Sequence, residues 1–404
     1  MNVLLISPWG YHDVLTQSYV LPYIPHILQA LNAPANSIHL YLITVERSPN
    51  NLSAPVVFAS EASSRFFHVP IVFSGPSLIG YITIVLALIR SSRLALSRKF
   101  FVIHSWCATG GAIGSILAFL SGSKLVLDSF EPHADPMVET GCWARRGFKY
   151  FILRRLEVFQ SRIASAYLPV SKYMYDYSLF NYGVNISGRS ALKPACVDVA
   201  PYSYKSNSSE YSSSIHGIYV GKLGGLYLDV DFFRILKAAQ AHWGQNLIFT
   251  ILSCQSIEII EAIALRSSFD LSTIHISCVS HARVTDYLQK ADFAITALKP
   301  VPSRLCCTPI KTGEYWSAGL PILTTSSISV DSELIQREKI GVVLDDLTDE
   351  CIATSILSLD ALVKSNSSNG ALSARIRNIA IRERGFHLAT RAYETIYKSD
   401  LLFA

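Results

Sequence analysis

Residues 306–325 read CCTPIKTGEYWSAGLPILTT, a helix with both of its ends written and a strand directly after it. Thr308 has the side chain of an N-cap, and Pro309 fits the first helical position, where its missing N–H costs nothing. Gly319 suits the left-handed position that ends a helix, and Pro321 blocks continuation ahead of a strand starting at Ile322. The spacing predicts a helix of about ten residues. Its start presents unpaired amides and a partial positive charge, which suit an anion such as a diphosphate. Lys311 lies in that first turn, where a cation opposes the dipole unless a phosphate neutralises both. Glu314, three residues on, shares its face and can accept from ribose hydroxyls. Gly313 inside a helix costs about 1 kcal/mol relative to Ala, which close approach of a ligand or backbone would explain. The same residues also read as a capped surface helix carrying a Lys–Glu pair.

A helix running straight into a strand is part of a repeating pattern. Short apolar runs at 3–6, 40–44, 69–73, 101–104, 124–127 and 166–170 form one series of strand candidates. A second series lies at 217–220, 247–252, 274–277, 293–296, 322–325 and 342–344. The runs are rich in Val, Ile and Leu and do not alternate, as expected when helices cover both faces of a parallel sheet. Between the series, PYSYKSNSSEYSSS (201–214) is polar and serine-rich, and reads as a linker. The pattern predicts an α/β chain of two doubly wound domains, at 1–200 and 215–385. A last helix at about 374–397 has no strand after it and can pack across from the second domain. The uncharged stretch 77–89 makes about twenty apolar residues when extended back to Val69, but Pro70, Gly75 and Pro76 divide it. It reads as a buried helix rather than a membrane span.

Half of the 404 residues are apolar and 16% are charged, which excludes intrinsic disorder. The net charge of +5 is too small to suggest a nucleic-acid partner. It is unevenly placed: residues 1–200 hold 16 basic and 10 acidic side chains, residues 201–404 hold 19 and 20. Eight cysteines show no CxxC or CxxH spacing, against a zinc site and against a secreted disulfide framework. MNVLLISPWG lacks a basic n-region and reads as a first strand running into a loop, so a reducing cytoplasm is expected.

PIKTGEYWSAGLPIL (309–323) resembles the P-x-K-x-x-E-Y-x-A-x-G-x-P-V segment of GT-B-fold retaining glycosyltransferases, particularly the family 4 group, glycosyltransferase group 1. The resemblance implies two Rossmann-like domains facing a cleft, an acceptor-side domain first and a nucleotide-sugar-binding domain second. It also implies that residues 386–404 return to the first domain as a C-terminal helix. It gives Glu314 the nucleotide ribose and Lys311 a phosphate, with Thr308, Pro309 and Ile310 lining the donor site. Where many members carry a second glutamate, eight positions before the first, this chain has Cys306. GIYVGKLGG (217–225) resembles the strand and loop that open the donor domain, with Gly221 in the loop and Lys222 in its basic phosphate slot. A second lysine often follows six positions later, and Leu228 stands there. VSHARVTDYLQKADFAI (279–295) resembles the stretch bordering the base; an amphipathic helix followed by a core strand reads equally well. LDSFEPHAD (127–135) resembles a turn whose histidine faces the donor sugar, which implies that role for His133, flanked by Glu131 and Asp135. The loop SPWGYHD (7–13) is implied to serve the acceptor side through Gly10 and Tyr11, as is Glu131. HSWCATGGAIG (104–114) can line the acceptor side too. Its glycines lack the GxGxxG order of a dinucleotide site.

WARRGFKYFILRRLEVFQSR (143–162) sets Arg145, Arg146, Lys149, Arg154, Arg155 and Arg162 against one acid, Glu157, with Phe148, Phe151, Ile152 and Phe159 between them. It fits an interfacial helix on an anionic bilayer, and fits equally an ordinary helix whose apolar face packs inward. Taken with the family resemblance, the expectation is a glycosyltransferase, and the resemblance implies a retaining one. It would move a sugar from a nucleoside-diphosphate sugar to a glycan or lipid-linked glycan of surface polysaccharide synthesis. Catalysis would rest on His133, Lys222, Lys311 and Glu314, with no metal or other cofactor. The expected place is the cytoplasm, with a peripheral position on the inner face of the membrane through 143–162. The alternatives are a GT-B scaffold without catalysis and a nucleotide-sugar epimerase or hydrolase needing no acceptor.

Overall fold

The computed structural model describes residues 1–31, 37–47, 65–73, 89–203, 214–367, 370–398 and 402. The apolar stretch 77–89, save its last residue, and most of the serine-rich linker lie outside the described residues.

The first apolar run forms β1 (Asn2–Ile6), in which Val3, Leu4, Leu5 and Ile6 are wholly buried, as a strand covered on both faces requires. β2 (His39–Glu46), β3 (Arg65–Val72), β4 (Val102–Trp106), β5 (Lys124–Phe130) and β6 (Ala166–Pro169) join it in a parallel sheet ordered β3-β2-β1-β4-β5-β6. β7 (Ile215–Val220), β8 (Leu247–Leu252), β9 (His275–Ser277), β10 (Phe293–Thr296), β11 (Ile322–Thr325) and β12 (Gly341–Leu344) form a second, ordered β12-β11-β10-β7-β8-β9. Each strand falls where an apolar run predicts it, with ends shifted by a few residues. The winding reverses between β1 and β4 in one sheet and between β7 and β10 in the other. Loops at the carboxyl ends of such strand pairs are where doubly wound sheets hold ligands.

Helices cover the sheets. α1 (Cys107–Ser121) follows β4, and its glycines are packing positions rather than a ligand loop. A side chain at Gly111 would run into Gln160 of α2 (Phe148–Ile163), and one at Gly114 into Ser105 of β4. In the second sheet, Phe232, Phe233, Phe249 and Phe293 pack on one face, and Ile218, Leu252, Trp316 and Ile322 on the other. Each such side chain contributes about 1.5–3 kcal/mol on burial.

Two compact units result. The first comprises Met1–Ala134, Arg146–Pro194 and His387–Ala404; the second comprises Asp135–Arg145 and Ala195–Phe386. The chain visits the second unit briefly at Asp135–Arg145 and enters it again at Ala195, ahead of the serine-rich stretch. The long last helix is in fact two, α3 (Ala371–Arg384) and α4 (Phe386–Tyr397), divided at Gly385 in extended conformation. Two tertiary bonds stop the first helix there: the Arg384 carbonyl accepts from Val197 N–H at 2.8 Å, and the buried Arg384 guanidinium pairs with Asp331.

The C-terminal helix is fastened inside the first unit by a buried polar cluster. Tyr393 Oη donates to Asp128 Oδ2 at 2.7 Å, and His104 bridges Asp128 (2.9 Å) and the Tyr397 hydroxyl (2.6 Å). The Lys193 ammonium lies 3.0 Å from Asp128 Oδ1 and 4.1 Å from the centre of the Tyr23 ring. Burial alone would raise the Asp128 carboxyl; Lys193 and then His104 outweigh it and bring it to about 2. Burial keeps His104 below its ordinary value despite that carboxylate. A neutral His104 fits the bonds, Nε2–H donating to Asp128 and Nδ1 accepting from Tyr397.

One cysteine pair departs from the expectation of free thiols. Cys254 and Cys278 form a disulfide between the segments leaving β8 and β9. They are 24 residues apart, and strand adjacency, not spacing, brings them together.

Candidate functional site

In the second unit the site candidates gather where β7 and β10 end. Gly221 follows β7 directly with φ +143°, in the region that favours glycine, and a Cβ there would run into the ammonium of Lys311. This close approach is what the glycine serves. The ammonium sits 4.5 Å from the centre of the Tyr227 ring and 5.8 Å from that of Tyr219. Lys311, then Arg304 and Lys222, pull the Tyr227 hydroxyl below its ordinary value, against its burial. Lys311 stands against this tyrosine, and the charges of Arg304 and Lys222 add to its pull. Lys222 itself is exposed.

The helix that carries Lys311 is α5 when α3 and α4 are kept for the C-terminal pair; it spans Ile310–Ser317. It begins one residue later than its caps suggested. Pro309 is the N-cap, in extended conformation and without a side-chain capping bond, while the Thr308 hydroxyl lies 3.4 Å from that of Ser329. Since proline has no N–H, the first-turn amides available to an anion start at Ile310. The other end forms as expected. Gly319 has φ +71°, its N–H donates to the Trp316 carbonyl at 2.9 Å, and Leu320 N–H donates to that of Tyr315 at 3.0 Å. The Tyr315 hydroxyl accepts from Val220 N–H at 2.9 Å, joining the helix to the end of β7. Gly313 has its reason in packing: a Cβ there would stand 3.1 Å from the Val197 side chain.

Glu314 points away from Lys311. It is 5% exposed, and its Oε1 accepts from Nε2 of His281 at 2.7 Å. His281 opens the helix His281–Leu288, within the stretch read as bordering a base. The hydrogen bond to Glu314 raises the imidazole above its ordinary value, against partial burial. Burial and then Glu314 hold the Tyr202 hydroxyl protonated. The Lys–Glu pair of the simpler reading is thus replaced by two separate groups, one cationic and one built on a buried carboxylate. Cys306, in the second-glutamate position, is buried, and so is Leu228, whose N–H donates to the Ala297 carbonyl at 2.9 Å. Gln255 holds the glycine loop, accepting from Leu223 N–H at 2.9 Å and donating to the Leu223 carbonyl at 3.1 Å.

In the first unit, His133 follows β5. Its N–H donates to Glu157 Oε1 at 2.7 Å, the Ala134 N–H to the same oxygen at 2.9 Å, and its Nδ1–H to the Glu131 carbonyl at 3.2 Å. A glutamate 24 residues away thus holds the backbone of the turn. Burial pushes Glu157 up to about 7 although those two amides, Arg154 and Tyr182 all favour its ionised form. Gly10 and Tyr11 lie against the buried Glu46, which accepts from Tyr11 N–H at 2.8 Å, and Tyr11 is a core residue at 2% exposure. Among the described residues no group of three or more His, Cys, Asp or Glu is placed to hold a metal, and no helix is long and apolar enough to cross a membrane.

Sequence reading missed Arg304, His281, Gln255 and Glu157. Only Glu157 carried a local sign, as the lone acid of a basic stretch.

No protein-family model and no curated protein matches the chain. Solved structures do. The sucrose-phosphate synthase of Thermosynechococcus elongatus superposes with a TM-score of 0.73 at 14% identity, over 98% of both chains. The Anabaena protein HepE in complex with UDP and glucose gives 0.68 at 11% identity, over 99% of this chain and 100% of that one. WaaG, a glycosyltransferase involved in lipopolysaccharide biosynthesis, gives 0.65 at 12% identity, over 98% and 99%. Likeness of this breadth shows the fold: two Rossmann-like units of the GT-B type.

Proposed function

We propose that the chain is a glycosyltransferase that moves a sugar from a nucleoside-diphosphate sugar to an acceptor hydroxyl. One observation carries this reading. At the winding switch of the second unit, Lys311 is held against Gly221 among a group of cations, while a buried carboxylate, Glu314, stands on the same helix. A diphosphate suits the first group and a ribose the second. Lys311, Lys222 and the amides from Ile310 on would stabilise the charge that grows on the departing diphosphate, an electrostatic contribution aimed where charge develops. Glu314, fixed by His281, would anchor the ribose and set the register of the donor. UDP and UDP-glucose, bound by the HepE structures, make uridine the first base to try.

Further roles follow from the family resemblance. His133 would stand near the sugar, with Gly10, Tyr11 and Glu131 on the acceptor side, and transfer would retain the anomeric configuration. A glycan or lipid-linked glycan is the proposed acceptor. An anionic membrane surface is a proposed partner of α2, where Phe148, Phe151 and Ile152 are 77%, 55% and 40% exposed beside the exposed Arg146, Lys149 and Arg155. Arg154 does not join them; it turns back to the Asn181 carbonyl and lies over the Tyr182 ring.

Donor binding is the test. Glu314→Ala and Lys311→Ala should each weaken nucleotide-sugar affinity at least tenfold, read by calorimetry with UDP-, GDP- and dTDP-sugars. Normal binding and turnover in both variants would end the assignment. Release of free sugar or an epimer without acceptor would favour the hydrolase or epimerase instead.

A further inference from the structure

A buried guanidinium with idle N–H groups is costly unless a ligand takes them up. Arg304 is half-buried, and one edge of its guanidinium is in that state. Its Nε and Nη2 are shielded from solvent and have no hydrogen-bond partner. The backbone beneath is firmly held: its amide donates to the Val301 carbonyl at 2.9 Å, and its carbonyl accepts from Ser329 N–H at 3.1 Å. Nε and Nη2 share one edge of the guanidinium, the two-donor fork that matches a pair of phosphate oxygens. The same Ser329 sets its hydroxyl 3.4 Å from that of Thr308, next to the start of the Lys311 helix, and the Arg304 charge also lowers the Tyr227 hydroxyl alongside Lys311 and Lys222. Leu228, where the resemblance looks for another lysine, is buried and apolar.

We infer that Arg304 is a diphosphate-binding residue, its Nε–H and Nη2–H closing on oxygens of the nucleotide's diphosphate beside Lys311. The inference rests on the donor reading above and deepens it. Three cations are a fitting complement to the departing nucleoside diphosphate, whose charge approaches −3 near neutral pH.

The experiment compares uridine, UMP and UDP, and then the guanosine and thymidine series, on the full-length protein by calorimetry. Arg304→Ala should weaken the diphosphate at least tenfold and leave the nucleoside within about twofold. Arg304→Lys should recover only part of the loss, since it restores charge without the fork. Equal losses for nucleoside and diphosphate, or no loss for either, would overturn the inference while leaving the donor reading intact. Absence of any nucleotide binding to the parent protein would overturn both. If Arg304→Ala does not fold, Arg304→Gln is read in the same series, with the same two outcomes.

Discussion

Glu157 is the residue whose chemistry is most at odds with its surroundings. It is 2% exposed and sits in the helix with the densest basic charge, yet burial carries its carboxyl from an ordinary 4.5 to about 7. In that window the folded chain holds a proton that the unfolded chain has released, so stability falls as pH rises from 4.5 towards 7. Glu157→Gln should remove this slope, because the amide oxygen can still accept from the His133 and Ala134 amides. Thermal melts of parent and variant between pH 5 and 8 should differ in slope by up to about 3 kcal/mol in total; parallel curves would contradict the assignment. The helix end at Gly319 was legible in the sequence because a turn glycine is a local feature, whereas the N-cap and the Lys311–Glu314 pairing came out differently. His281 and Glu157 were not legible, since their partners lie 33 and 24 residues away and only the folded sheets bring them close.

Helix α2 shows how an element can look the same in sequence whether it serves the core or a surface. Its pattern of Arg and Phe allowed both readings, and its two ends differ in burial. The first turns expose Phe148 and Phe151, while Glu157, Gln160 and Ser161 of the later turns are buried. Sedimentation with vesicles containing anionic lipid should retain the protein at low salt and release it at higher salt. Phe148→Ser with Phe151→Ser should abolish retention without altering the melting temperature, and equal recovery with and without vesicles would exclude the contact. The strands were the most legible elements, because a run buried on both faces has few alternatives. The division at Gly385 was hidden, as the bond from Val197 and the buried Arg384–Asp331 pair that impose it come from distant segments. The Cys254–Cys278 bridge was hidden for the same reason.

For the molecule as a whole, the sequence showed two doubly wound sheets but not that Asp135–Arg145 belong with the second unit. The first unit takes its last piece from residues 387–404, the stretch for which the family resemblance implied a return to the first domain. Those residues bring Tyr393 and Tyr397 to Asp128 and His104. Removing 387–404 should therefore leave a buried charge cluster open, and calorimetric scans should lose the unfolding heat of the first unit while that of the second remains. Retention of both would show that the cluster is dispensable. During synthesis the same arrangement fixes an order. The amino-terminal half leaves the ribosome first but must wait, with Asp128 and His104 short of their tyrosine partners, until the final helix emerges. The second unit, complete by Phe386, can close before it, so the half that is made first is the half that finishes folding last.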